Sequence, residues 1–204
     1  MSELSWLPEE LSFITEEESF ISISPHFTSP RITFLSGTYG PFQAGIPIKV
    51  PMWLAFFLNN SHSCTLIPPK WLNVSYLSKL KALEHKNTVL SKVPRNYMEV
   101  SFAFFIKAPT IVQKLDSVRS LVEDIWTLRI EKLRNSIIIN SSAINDNFEL
   151  PNVTRMELHL FREPVTKITE MLTAMNAFSQ NTWFLHRLVL FITFILTSPM
   201  TEVF

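Results

Sequence analysis

Glycine is scarce in this chain: three among 204 residues, all within Gly37-Thr-Tyr-Gly40-Pro-Phe-Gln-Ala-Gly45. Glycine supplies positive φ and room for close backbone approach. One stretch therefore carries the demanding turn, and Pro41, Pro47 and Pro51 stiffen it. So few glycines leave no phosphate-cradling P-loop and no dinucleotide fingerprint, which excludes the common nucleotide-binding loops. Cysteine is scarcer still. Cys64 stands alone, so no internal disulfide can form, which fits a reducing compartment. Net charge is missing as well: 18 basic residues cancel 18 acidic ones, and the basic footprint of a protein that holds nucleic acid by itself is absent. The acidic N-terminus (Glu3, Glu9, Glu10) lacks the basic-then-apolar layout of a signal peptide. The uncharged apolar run Leu188–Leu196 is nine residues long, against the roughly 20 that a spanning helix needs. His26, His62, His85, His159 and His186 are scattered, so no metal-ligand spacing can be read and no metal or cofactor is expected.

What is present is apolar and aromatic. Hydrophobic residues make up 47% and aromatics 12%, with 17 phenylalanines. A chain of this length, one domain or two small ones, can fill a core with that material. Such an excess on a modest chain also suits burial against other chains. Both readings stand at this point.

Patterning divides the chain in two. Phe20-Ile-Ser-Ile-Ser24 alternates and predicts a strand; Arg31–Leu35 and Ile46–Val50 predict two more. Pro47 marks the third as an edge strand. Pro51 then opens a short buried helix, Met52–Leu58, and Cys64–Ile67 is again extended. A first short helix is expected around Pro8, with Leu7, Leu11 and Ile14 on one face. After Pro68-Pro69 helical periods take over: Val74 to about Asn87, Tyr97 to Lys107, and Thr110 to Ser136. Asn140–Asn152 reads as a polar loop, and Thr154–Leu160 with Pro164–Phe178 as a helical hairpin. The fold class is α+β and mostly α: a β-rich domain over 1–67, a helical domain over 68–178, and a divergent apolar tail over 179–204. Gly40–Val50 holds either the junction of the two parts or a turn internal to the first.

Few residues carry chemistry. His62 and Cys64 are too close along an extended segment to form a nucleophile–base pair by themselves, so a buried thiol and a surface His are expected. Glu16-Glu17-Glu18 reads as a solvated helix end. Lys79, Lys81 and Lys86 form a basic strip, either a solvated face or a contact for an acidic partner or nucleic acid. No catalytic residue is assigned.

Three motifs carry a resemblance: Gly40-Pro-Phe-Gln-Ala-Gly-Ile-Pro-Ile-Lys-Val-Pro-Met-Trp-Leu-Ala55, Leu66-Ile-Pro-Pro-Lys-Trp-Leu72 and Val118-Arg-Ser-Leu-Val-Glu-Asp-Ile-Trp-Thr-Leu-Arg-Ile-Glu-Lys-Leu-Arg134. In order and spacing, over about residues 10–178, the chain resembles the second Psf-type subunit family of the eukaryotic GINS complex. The first and third motifs are long and specific. The resemblance implies a non-catalytic nuclear scaffold in DNA replication: a small β-rich domain, then a helical domain that packs with three related subunits. The assembly joins the minichromosome-maintenance helicase ring and an accessory factor. Any DNA contact would be indirect or weak, with no membrane involved. The ATPase sites belong to the ring. On the long helix, Trp126 and Ile130 flank the apolar stripe, and Trp126 is the best partner anchor. Glu123, Asp124, Arg129 and Arg134 are candidates for the polar rim. Asn59–Ser63 lacks the basic residues this family often carries there. The tail from about Ser179 has no family counterpart and suggests an alternative or misread terminal exon. The alternative is an assembly-defective or membrane-tethered variant acting through that tail.

Overall fold

The computed structural model describes residues 15–142 and 151–177. Alternation in Phe20-Ile-Ser-Ile-Ser24 produces the central strand β1 (Phe20–Pro25), which buries Ile21 and Ile23 and turns Phe20, Ser22 and Ser24 outward. The hairpin β2 (Ile32–Phe34) and β3 (Gly37–Tyr39) follows. Next come β4 (Ile48–Pro51), α1 (Met52–Asn60) and β5 (Cys64–Ile67). β4, β1 and β5 form an antiparallel three-stranded sheet with β1 in the middle. β4 is thus an edge strand, as Pro47 implied. It begins at Ile48 and not Ile46, because a prolyl nitrogen donates no ladder hydrogen bond.

The turn over Gly37–Pro51 is internal to the β-rich part. Phe42 exchanges backbone hydrogen bonds with Ser29 and is buried against Phe27, ring centroids 5.3 Å apart. The peptide bond between Gly40 and Pro41 is cis. Gly40 has φ +111°, and a Cβ there would sit 3.2 Å from the Cα of Arg31, so a larger residue would be strained and tightly packed. The N–H of Gly45, also at positive φ, donates to the carbonyl of Pro25. Strand β3 escapes sequence reading because three residues are too few to show alternation.

The helical part contains α2 (Val74–Lys86), α3 (Tyr97–Lys107), a single 3-10 turn (Pro109–Ile111), α4 (Leu115–Ser142) and α5 (Arg155–Ala177). Asn73 caps α2, its side chain accepting the N–H of Tyr76 at 2.8 Å. The long helix starts at Leu115 instead of Thr110. Pro109 opens the 3-10 turn and Lys114 takes a positive φ of 54°, which breaks helical continuity. It also runs on to Ser142, into the expected loop.

The expected hairpin over 154–178 is corrected: α5 is one helix that passes through Pro164. An interior proline removes one backbone bond and costs about 3 kcal/mol. Continuity lets Leu160, Phe161, Val165 and Met171 reach a common apolar cluster with Ile130, Leu133 and Ile137 of α4.

A larger cluster runs without interruption from Ile21 and Ile23 of β1, through Leu54 and Phe56 of α1 and Phe104 of α3, to Val122 and Ile125 of α4. The change from strand to helix after Ile67 is therefore not a gap in the core. Residues 15–18 are helical, and Glu16 and Glu18 pair with Lys107 and Arg155. The helix expected around Pro8, the middle of the 140–152 loop and the 179–204 tail lie outside the described residues.

Candidate functional site: a buried charge cluster beneath the helical face

Arg129 was expected at a polar rim, and the structure places it inside the chain at 0% exposure. A guanidinium has five N–H donors, and all five are used. Nε and Nη2 grip the two oxygens of Glu157 at 2.6 and 2.8 Å. Nη1 donates to Glu84 Oε2 at 3.3 Å and to the carbonyl of Ser91 at 2.8 Å. Nη2 also donates to the carbonyl of Asn152 at 2.8 Å. The fork–fork geometry with Glu157 is the strong form of such a pair.

The acceptors are equally saturated. Glu84 takes Lys132 Nζ at 2.8 Å and the N–H of Ser91 at 3.1 Å. Glu157 takes the N–H of Thr154 at 2.8 Å and the hydroxyl of Tyr97 at 3.4 Å. The N–H of Glu157 in turn donates to Thr154 Oγ1 at 3.4 Å, completing a reciprocal capping box at the start of α5. Asn152, at positive φ, donates its side-chain amide to the carbonyl of Leu90 at 3.0 Å. Two cations and two carboxylates balance, and the cluster ties α2, the 87–96 loop, α4 and α5 to one point. Burial works against the Arg129 charge, but the carboxylate of Glu157 outweighs it and holds the guanidinium above its ordinary range. Tyr97 is pushed well up, first by burial and then by Glu157.

Glu99, 8% exposed in the first turn of α3, has neither oxygen paired to another residue. Burial pushes its carboxyl up, partly opposed by its own backbone N–H. Cys64 is buried, its thiol raised by burial and directed at the carbonyl of Ala55, 3.9 Å away, while His62 is exposed. The two form no dyad. Among the described residues no three His, Cys, Asp or Glu side chains converge as metal ligands, and no helix is long and apolar enough to cross a membrane.

The remaining candidates on α4 divide by depth. Ile130 is buried in the smaller apolar cluster. Trp126 is half-buried and packs against both clusters, so its indole sits where they meet. Asp124 pairs with Lys81 at 2.7 Å, Arg134 is half-buried, and Glu123 is exposed. Of the six candidates on α4, Trp126, Arg134, Asp124 and Glu123 therefore keep some exposed surface, and Arg129 and Ile130 do not.

A family model described as the PSF2 N-terminal domain matches residues 7–67, and one described as the GINS complex protein helical bundle domain matches 71–176. The chain is 36% identical over 138 residues to "DNA replication complex GINS protein PSF2" of Homo sapiens, covering 67% of this chain and 75% of that protein. The chain belongs to the PSF2 family of GINS proteins. A "Probable DNA replication complex GINS protein PSF2" of Brugia malayi is 34% identical over 155 residues, covering 76% of this chain and 82% of its own. One of the same name from Drosophila melanogaster is 33% identical over 141 residues, covering 69% and 70%. For this PSF2-family chain, an α+β fold with the β-rich part first agrees with the order of the two matched models.

The sequence did carry a trace of the charge cluster. Thr154-x-x-Glu157 ahead of an apolar run is a capping-box signature. Nothing local announced that Glu84 and Arg129, 45 residues apart, would meet.

Proposed function

We propose that this chain is a non-catalytic subunit of a four-chain GINS assembly, which acts in the nucleus as a scaffold of the replicative DNA helicase. The observation that carries this reading is the match of both family models in order over nearly the whole described chain. The chemistry supports it. The best-organised polar cluster of the described residues has every Arg129 donor satisfied by groups of this chain, which suits a cluster that holds a shape. Trp126, Arg134, Asp124 and Glu123 form the partner-facing part of α4, with Trp126 as the anchor. The β-rich domain over 1–67 and the helical domain over 68–178 share one apolar core and enter the assembly together. The helicase ring and its accessory factor are reached through the assembly, and DNA contact is indirect.

Co-expression with three other GINS-type chains, followed by size exclusion and mass measurement, tests the reading. The expected peak holds one copy of each. Exclusion of this chain, rescued by deleting residues 179–204, would show a true subunit disabled by its tail. Exclusion after that deletion would overturn the proposed role.

A further inference from the structure

Helix α2 buries Leu77, Leu80 and Glu84 on one side. On the other, Tyr76 is 42% and Leu83 52% exposed, and Lys79 and Lys86 are exposed beside them. Tyr76, Lys79, Leu83 and Lys86 follow a 3-4-3 spacing and fall in one stripe. Lys81, part of the basic strip read from sequence, is not in it: its ammonium is held by Asp124 on α4. Among the described residues neither Lys79 nor Lys86 has an ion-pair partner. Nor does α2 supply one at helical spacing. The positions three and four away from Lys79 are Ser75, Tyr76, Ala82 and Leu83; from Lys86, the last residue of the helix, they are Ala82 and Leu83.

The stripe thus holds two pairs, each seven residues apart: an apolar pair, Tyr76 and Leu83, and a cationic pair, Lys79 and Lys86. The stripe sets two exposed apolar side chains one heptad apart, each followed three residues later by a lysine with no ion-pair partner among the described residues, and so offers a second helix both a hydrophobic contact and positive charge. We propose that the outer stripe of α2 docks an acidic amphipathic helix of a partner chain, which sets apolar side chains against Tyr76 and Leu83 and carboxylates against Lys79 and Lys86. The inference rests on the assembly reading above. A nucleic-acid occupant fits less well. The chain has no net charge, two cations would release few counterions, and Leu83 has no use on a phosphate backbone. A stripe of little more than one heptad is too short to hold a partner alone, so it serves as one contact within a larger assembly.

The test uses the co-expressed complex with a photo-cross-linking amino acid at position 76 and, separately, at 83. The expected cross-link falls in a helix of another chain that carries Asp or Glu beside apolar residues at heptad spacing. Lys79→Glu with Lys86→Glu should weaken assembly about tenfold at low salt and leave the thermal stability of the isolated chain unchanged. Reversing the cross-linked carboxylates to Lys should restore assembly. An assembled complex with no cross-link from α2 overturns the inference and leaves the assembly reading standing. So does a cross-link to a basic or uncharged segment or to added DNA, or a double variant that assembles normally. Failure of the wild-type chain to assemble overturns both.

Discussion

Replacing Arg129 by Met would strip five hydrogen bonds from the interior and leave Glu84 and Glu157 buried beside one remaining cation, Lys132. Breaking a buried charge set this way costs about 3–5 kcal/mol, and chemical denaturation of the variant should show a loss of that size. Arg129→Lys keeps the charge but cannot grip both oxygens of Glu157; it should recover part of the loss and no more. Glu99 works in the opposite sense. Its folded pKa lies above the unfolded value, so the folded chain holds that proton more tightly. The resulting stabilisation is complete below the unfolded pKa and is lost as pH rises through the folded pKa. Above that, a buried ionised carboxyl with no other residue paired to it remains. Glu99→Gln should therefore be more stable than the wild type at neutral pH, with the difference shrinking as pH falls into the acid range. Thermal melts of the two proteins across pH would read this, and a constant difference would refute it.

Most helices and strands were legible because their signals are local. The alternation in β1, the proline that opens α1 and the helical period from Val74 need no knowledge of the rest of the chain. Failures came where a distant contact overrode a local rule. Pro164 argues for a break, yet α5 continues because Phe161 and Val165 join the cluster beneath α4. Pro164→Ala should thus lengthen the hydrogen-bond ladder and raise stability by up to about 3 kcal/mol; amide exchange along α5 would report slower opening around position 164. The capping box makes the complementary case. Thr154→Ala removes the acceptor for the N–H of Glu157 and should cost about 1 kcal/mol. Because Glu157 also holds Arg129, the variant should destabilise α2 and α4 as well as the start of α5. Exchange confined to the first turn of α5 would show that cap and cluster act independently.

The continuous apolar cluster from Ile21 to Ile125 makes the β-rich part and the helices one unit of stability. Heat unfolding of the isolated chain should show a single cooperative transition, with equal calorimetric and van't Hoff enthalpies. Ile23→Ala in the sheet should lower the midpoint seen by a probe on α4 as much as by one on β1. Two separable transitions would mean that the shared core does not couple the parts. Charge neutrality, the single thiol, the order of strands before helices and the family motifs were all readable in one dimension, because composition, short-range period and motif spacing are properties of neighbours along the chain. Whether Arg129 faced a partner or the interior could not be read that way. Arg129 is flanked by Leu128 and Ile130 on a helix with apolar residues on several sides. Its environment is set by Glu84, Ser91, Asn152 and Glu157, which only packing of α2, the 87–96 loop and α5 against α4 brings within hydrogen-bond reach.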